Sequence, residues 1–185
     1  VAFVPTMGAL HDGHLTLVRE ARQAADVVIV SIFVNPPQFN DKGDLERYPR
    51  DLTADAALLA EYEVDYVFAP EEHEIYHKGF STFVDVEGIS EGLEGTARPG
   101  HFRGVATIVT ILFNTVRPDQ AFFGQKDAQQ VAVIKRLATD LGFETEIVIV
   151  PTVREESGLA MSSRNANLTT EEREKASVIF KGLRD

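Results

Sequence analysis

The sequence predicts an α/β fold, with a Rossmann-like, mostly parallel sheet that carries helices on both faces. Strand-like and helix-like segments alternate along the chain, which is typical of that arrangement. The run from Val27 to Val34 is almost continuously apolar and largely β-branched, as expected for a parallel strand buried on both faces. We therefore expect one Rossmann-like domain over residues 1–152 and the beginning of a second domain over residues 153–185.

Composition narrows the classes of partner. The chain has 185 residues, a formal net charge of −11 and no cysteine. The missing cysteines exclude disulfides, thiol catalysis and cysteine-ligated metals. The negative charge disfavours nucleic acid and anionic membranes as partners. We expect a cytoplasmic protein, because the sequence has neither a signal peptide nor an apolar run long enough to span a bilayer.

The first strand, Val1 to Val4, leads into the turn PTMGALHDGH at residues 5–14, and a helix with apolar residues at helical spacing follows. The first backbone N–H groups of a helix have no partner inside it and carry the positive end of its dipole, which suits a phosphate. Gly8 and Gly13 let the backbone approach such a ligand closely.

Two histidines in this turn carry the chemical signal. His11 and His14 are three residues apart, so they lie on one side of a helical turn and can donate to the same phosphate chain. A plain strand-to-helix turn with two solvated histidines is the alternative. Zinc is disfavoured because no third ligand stands at helical spacing. The segment His11-Asp12-Gly13-His14 has the form of the HxGH signature of nucleotidyltransferases that attack the α-phosphate of ATP, which favours the phosphate interpretation.

The second strand ends in a rigid loop, residues 35–39, whose two prolines can continue neither a strand nor a helix. Ligands of open α/β sheets bind beyond the carboxyl ends of the strands, so Gln38 can hold a substrate. A solvated loop glutamine explains Gln38 equally well. The pattern then predicts a helix from about Ala54 to Tyr62, a strand from Asp65 to Ala69 and a strand from Thr82 to Val86.

The segment ARPGHFRG, residues 97–104, precedes an amphipathic helix that Pro118 ends. Arg98, His101 and Arg103 can face an anion near the start of this helix, or they can anchor a loop.

The strand from Gln120 to Phe123 runs directly into the segment GQKD at residues 124–127. Asp127 and Gln130 have capping-box spacing for a helix that extends through Leu141. Lys126 stands at the carboxyl end of the strand, and we expect it beside the first turn.

The last core strand is predicted from Thr145 to Val150, and the domain boundary follows it. Thr169 and Glu172 have capping-box spacing for a final helix that extends to about Lys181.

Seven segments together resemble the pantoate-β-alanine ligase family: PTMGALHDGH, SIFVNPPQF, YPRDL, ARPGHFRG, FGQKDAQQ, VPTVRE and MSSRN. They span essentially the whole chain in the order and spacing of that family. The resemblance implies that pantoate and ATP form a pantoyl-adenylate and pyrophosphate, and that β-alanine then displaces AMP. It also implies Mg²⁺ with the ATP, and a homodimer.

The resemblance further implies a set of site residues. His14 matches the catalytic histidine, Gln38 and Gln130 match the glutamines that hold pantoate, and Gln38 also lies near the β-alanine site. Asp55 lies near the positions where some members hold Mg²⁺. The residues that match ATP contacts are Met7, Gly8, Ala9, Leu10, His11, Asp12, Gly13, His14, Gly124, Gln125, Lys126, Asp127, Val153, Met161, Ser162, Ser163 and Arg164.

In the implied reaction His11 and His14 contact the α- and β-phosphate oxygens, and His14 can also give a proton to the leaving pyrophosphate. Lys126 holds the β- and γ-phosphates together with Ser162, Ser163 and Arg164, and Mg²⁺ bridges those phosphates. Family members extend before Val1 and past Asp185, where a C-terminal domain closes over the site. Two alternatives are a nucleotidyltransferase of the same superfamily and an ATP-binding fragment with impaired catalysis.

Overall fold

Five parallel strands form one sheet in the computed structural model, which describes residues 1–184. The order across this sheet is β3-β2-β1-β4-β5. Each neighbouring pair of strands is parallel, so the predicted α/β class and parallel sheet are confirmed. The strands are β1 (Ala2–Thr6), β2 (Val28–Ile32), β3 (Tyr66–Phe68), β4 (Gln120–Gly124) and β5 (Glu146–Val150).

Helices connect successive strands and continue after β5. Short 3₁₀ turns follow β2 and β4 and precede the last two helices, at Pro36–Gln38, Gln125–Asp127 and Ser163–Asn167. The α-helices are α1 (Asp12–Ala24), α2 (Lys42–Arg47), α3 (Leu52–Ala60), α4 (Glu72–Ile75), α5 (Glu94–Ala97), α6 (His101–Val116), α7 (Ala128–Asp140), α8 (Thr170–Ala176) and α9 (Val178–Arg184).

Apolar residues are buried on both faces of the sheet. Neighbouring residues of a strand point to opposite faces, and Phe3 and Val4 of β1 are both fully buried. Phe3 packs in a cluster with Phe113 of α6, whereas Val4 packs in a second cluster with Val18 of α1 and Leu59 of α3. Helices therefore cover both faces, as the sequence predicts.

The predicted strand from Thr82 to Val86 is wrong. This segment pairs with none of the five strands of the described sheet. The Val84 N–H donates instead to Oγ1 of Thr107 on α6, at 3.0 Å. Val84 and Val86 pack into the cluster on that face, so the alternation of side chains reflects contact with a helix rather than strand pairing.

Two capping predictions have different outcomes. The capping box of Thr169 and Glu172 is confirmed, although the predicted final helix is divided between α8 and α9. The capping box of Asp127 and Gln130 is wrong, because Asp127 is the N-cap residue of α7 but its side chain caps no backbone N–H. The Asp127 carboxylate lies 3.4 Å from Nζ of Lys126 instead.

The strand order places the site. The chain proceeds outward from β1 through β2 to β3, then returns to the other side of β1 with β4 and β5. The order therefore reverses between β1 and β4, and ligands of open α/β sheets bind beyond the carboxyl ends of the strands at such a point. Among residues 1–184 no helix has the length and apolar character needed to span a membrane. The boundary between residues 152 and 153 stays a prediction.

Candidate active site

A cavity opens at the carboxyl ends of β1 and β4, where the strand order reverses. The turn after β1, the loop after β2, the segment after β4 and the segment after β5 all contribute to its lining. The predicted site residues that line it are Met7, His11, Gly13, His14, Gln38, Gly124, Lys126, Asp127, Gln130, Val153 and Met161. The expectation that the two histidines and Lys126 share one cleft is therefore confirmed.

Other predicted residues lie outside this lining. All except Asp55 belong to segments that contribute to the lining, and Gly8 and Asp55 line a second cavity together with Met7. These residues are Gly8, Ala9, Leu10, Asp12, Gln125, Ser162, Ser163, Arg164 and Asp55.

The two imidazoles contact each other at the start of α1, with ring centroids 4.1 Å apart and ring planes tilted by 39°. Nδ1 of His11 accepts the Gly13 N–H at 3.1 Å, and Nδ1 of His14 accepts the His11 N–H at 3.3 Å. A backbone N–H can only donate, so each neutral ring carries its proton on Nε2. The imidazoles thus accept hydrogen bonds from two of the backbone N–H groups that we expected to bind a phosphate. Each ring retains one Nε2–H group that can donate to a ligand.

Burial and neighbouring charge keep these rings neutral. Burial lowers the pKa of His14 to about 3, and His11 and Lys126 act in the same direction. Burial also lowers the pKa of His11, with the Lys126 ammonium as the next cause. Desolvation disfavours the charged form of an imidazole, and a nearby cation adds to that cost. Both histidines are therefore hydrogen-bond donors at neutral pH, while Lys126 supplies the positive charge.

Asp55 holds the turn that precedes α1. Its Oδ2 accepts the Ala9 N–H at 2.9 Å and its Oδ1 accepts the Leu10 N–H at 2.8 Å. Gly8 lies at φ +78°, and a Cβ atom there would stand 2.8 Å from Oδ2 of Asp55. On the far side Oγ of Ser163 donates to the Ala9 carbonyl at 3.0 Å. Asp55 and Ser163 thus fix the backbone that positions the two histidines.

Arg164 is paired with a carboxylate and does not line the cavity. Its Nε and Nη2 donate to the two carboxylate oxygens of Asp44 on α2, at 3.2 and 2.8 Å. The Asp44 hydrogen bonds raise the pKa of the Arg164 guanidinium above its ordinary value. The guanidinium also lies over the rings of Phe39 and Tyr48. A role for Arg164 on a phosphate therefore requires it to leave Asp44.

The segment ARPGHFRG anchors the loop that carries Gln38, which decides between the two sequence interpretations. Nδ1 of His101 donates to the Gln38 carbonyl at 2.7 Å, and Nη2 of Arg98 donates to the same oxygen at 3.3 Å. His101 is buried. Gly104 approaches so closely that a Cβ atom would stand 2.6 Å from the Pro37 carbonyl. Arg103 does not join them, since its guanidinium lies over the exposed ring of Phe83.

Sequence reasoning missed four polar residues of the cavity, Thr6, Asn35, Tyr48 and Thr152. Asn35 is 1% exposed and hydrogen-bonds the side chain of Gln38. Its position directly after β2, at the carboxyl edge of the sheet, is the signal that could have found it. Tyr48 follows a helix rather than a strand, and although it opens the segment YPRDL, no site role was assigned to it.

Both carboxylate oxygens of Asp55 accept backbone N–H groups of the turn, and a role for Asp55 as a magnesium ligand stays a prediction. Throughout the described part of the chain, no three His, Asp or Glu side chains gather closely enough to hold a metal ion. The residues present therefore do not fit an ion held by the protein alone. Mg²⁺ stays a prediction that is tied to the triphosphate itself.

Known proteins with similar sequences indicate the family of this chain. A family model described as Pantoate-beta-alanine ligase matches residues 1–185. The pantothenate synthetase of Carboxydothermus hydrogenoformans is 62% identical over 185 residues, all of this chain and 65% of that protein. The pantothenate synthetase of Thermodesulfovibrio yellowstonii is 55% identical and is covered to 66%. This chain thus spans just under two thirds of the length of these curated relatives.

Solved structures of proteins from the same family also match this chain. The crystal structure of pantothenate synthetase from Thermus thermophilus matches with a TM-score of 0.97 at 55% identity, covering 98% of this chain and 66% of that one. The pantoate-beta-alanine ligase of Francisella tularensis, described as complexed with beta-gamma ATP and beta-alanine, matches with a TM-score of 0.95 at 46% identity. That match covers 100% of this chain and 71% of the other.

Proposed function

This chain belongs to the pantoate-β-alanine ligase family, and from that premise we propose that it uses ATP to condense pantoate with β-alanine into pantothenate. In the first half-reaction a pantoate carboxylate oxygen bonds to the α-phosphorus while the bond to pyrophosphate breaks. In the second, the β-alanine amine bonds to the acyl carbon and loses a proton while the bond to AMP breaks.

The observation that carries this proposal is the convergence of two kinds of group on one cavity. His11, His14 and Lys126 supply hydrogen-bond donors and positive charge, which suit a triphosphate. Gln38 and Gln130 supply amides, which suit the carboxylate and hydroxyl groups of pantoate. Attack on phosphorus needs little covalent help, so positioning and preorganised donors can supply most of the rate.

The state of His14 supports hydrogen bonding to a phosphate oxygen rather than proton transfer. Its pKa of about 3 leaves it neutral at physiological pH, with the proton on Nε2. A neutral imidazole is a very weak acid, so hydrogen-bond donation is the role that this state supports. We therefore assign Nε2–H donation to both His14 and His11, and we assign the cationic role to Lys126.

Several parts of the proposal follow from the family. We infer that Ser162, Ser163 and Arg164 hold the β- and γ-phosphates, which requires Arg164 to exchange Asp44 for a phosphate. A homodimer and a cytoplasmic location belong to the same proposal, and light scattering on the purified protein tests the first of them.

One assay tests the central claim. Radiolabelled pyrophosphate should exchange into ATP only when pantoate is present, since the first half-reaction is then reversible. Added β-alanine should release AMP in equal amounts with pantothenate. A nucleotidyltransferase of the same superfamily would leave the nucleotide on its product and release no AMP. ATP binding with no pantoate-dependent exchange would overturn the proposal and would favour a catalytically impaired nucleotide-binding fragment.

A further inference from the structure

We propose that Tyr76, which lies outside the cavity lining, is a positioning residue that acts through Asn35 to keep the NH₂ group of the Gln38 side chain directed at the substrate. This inference rests on the proposed function, because it takes Gln38 as a contact to pantoate. It adds which end of the Gln38 amide meets the substrate, and which distant residue decides this.

Three side chains and one carbonyl form a chain of hydrogen bonds that runs from Tyr76, outside the lining, to Asn35 and Gln38 in it. The Tyr76 hydroxyl donates to Oδ1 of Asn35 at 2.6 Å. Nδ2 of Asn35 donates to the Gly104 carbonyl at 3.1 Å and to Oε1 of Gln38 at 3.2 Å. Asn35 is 1% exposed, so it cannot exchange these partners for water without a cost in free energy.

The Gly104 carbonyl fixes the orientation of the Asn35 amide in this series of hydrogen bonds. A carbonyl oxygen can only accept, so the Asn35 atom beside it must be the nitrogen. Both hydrogens of that nitrogen are then used, one on Gly104 and one on Gln38. If the Asn35 amide rotated by half a turn, its oxygen would face the Gly104 carbonyl, and two acceptors would be left in contact.

The Tyr76 hydroxyl completes the assignment by donating to the opposite end of Asn35. Burial raises the pKa of the Tyr76 hydroxyl well above its ordinary value, and Glu72 acts in the same direction, so the hydroxyl stays a donor throughout the working pH range. The Tyr76 ring is held edge to face by Phe80, with centroids 5.0 Å apart.

The orientation of the Gln38 amide determines which of its polar groups a ligand in the cavity meets. Oε1 of Gln38 faces Asn35, so the end of the amide directed away from Asn35 is the NH₂ group, which can only donate. It therefore selects an acceptor, such as a carboxylate or hydroxyl oxygen of pantoate, and it rejects the ammonium form of an amine. His101 and Arg98 hold the backbone carbonyl of the same residue, so both ends of Gln38 are fixed.

A double-mutant cycle tests this inference. Tyr76→Phe removes one hydroxyl, and we expect the KM for pantoate to rise about fivefold, the equivalent of one lost hydrogen bond, with the KM for ATP unchanged. In a Gln38→Ala background the same change should have no further effect on the pantoate KM, because the residue through which Tyr76 acts is gone. Tyr66→Phe is the matched control, since Tyr66 is 65% exposed.

Equal effects of Tyr76→Phe with and without Gln38 would overturn the inference, because a merely structural role would be additive. So would parallel rises in the KM for pantoate and for ATP.

A second readout does not depend on turnover. In ¹⁵N-labelled protein the side-chain NH₂ resonances of Asn35 and Gln38 should both shift in Tyr76→Phe and stay in place in Tyr66→Phe. Unmoved Gln38 resonances would refute the positioning role even in an active enzyme. Shifted resonances in a protein without pantoate-dependent exchange would uphold the relay while the proposed function failed.

Discussion

The carboxylate of Asp55 accepts the backbone N–H of Leu10, a residue 45 positions earlier in the chain, at 2.8 Å. Its second oxygen accepts the N–H of Ala9, which lies at φ +50° in the left-handed region. A non-glycine residue in that region is strained, and such strain persists only where the surroundings impose it. Asp55 therefore supports a turn conformation that the local sequence alone disfavours, and this turn precedes His11.

This contact predicts the effect of Asp55→Asn on nucleotide binding. The amide oxygen can accept only one of the two N–H groups, and its NH₂ would face the other. We expect the Kd for ATP to rise by about 5–30-fold, which corresponds to roughly 1–2 kcal/mol. Calorimetric titration with ATP at several Mg²⁺ concentrations should give the same loss at each.

A loss that shrinks as Mg²⁺ rises would show instead that Asp55 is a metal ligand. Asp51→Asn is the control, because the Asp51 carboxylate accepts the Ala54 N–H of the same helix at 2.9 Å rather than an N–H of the turn.

The two donors at the centre of the cavity can be removed one at a time. His14→Ala and Lys126→Ala should each reduce pantoate-dependent pyrophosphate exchange by about 10²–10³-fold, as is typical when one preorganised donor is lost. The circular dichroism spectrum should stay unchanged, since both side chains face the cavity rather than the core. His73→Ala, on the exposed surface, should keep full exchange. Wild-type exchange rates in the His14 variant would contradict the assignment.

The lowered pKa of His14 predicts how stability depends on pH. The pKa of this imidazole is about 3 in the folded protein, against an ordinary value of 6.5. Between these values the unfolded chain binds a proton that the folded chain does not, so stability falls as the pH falls through this window. His14→Gln removes the titrating group. When the pH falls from 7.5 to 4.5, the free energy of unfolding should therefore decrease by about 1–3 kcal/mol less in this variant than in the native sequence.

Urea unfolding at the two pH values measures this difference. His73→Gln, an exposed histidine, should show no such gain. An equal pH dependence for the native protein and His14→Gln would mean that His14 is not held neutral by the fold.

Gly104→Ala tests the close approach of α6 to the Gln38 loop. The new Cβ atom would stand 2.6 Å from the Pro37 carbonyl group, so helix and loop must separate. We expect a loss of about 1–3 kcal/mol in the free energy of unfolding, and a higher KM for pantoate. A Cβ atom added to Gly182, a glycine of α9, would meet no neighbouring atom within 4 Å.

Gly182→Ala should therefore be neutral or should stabilise the protein by up to about 1 kcal/mol. If thermal unfolding shows that Gly104→Ala and Gly182→Ala are equally stable, the contact with Pro37 does not constrain the loop.

Patterns within about ten residues predicted much of this molecule. The continuous apolar run of β2, the turn with His11 and His14, and the capping box of Thr169 and Glu172 were all visible. Two predictions failed because another contact replaced the expected one. Asp127 has the spacing of a cap, yet its carboxylate lies beside the neighbouring Lys126. Val84 has the alternation of a strand, yet its N–H donates to the more distant Thr107.

The sequence by itself determined the fold class, the strand-to-helix turn and the types of donor that turn carries, because these depend on periodicity and on hydrogen bonds between near neighbours. Only the tertiary structure decided that β4 lies beside β1, which brings Lys126 to the histidines. It alone placed Asp55 behind the turn and Tyr76 behind Asn35. Each of these contacts joins segments more than 40 residues apart, and the geometry of the packed sheet and helices selects such partners while spacing along the chain does not.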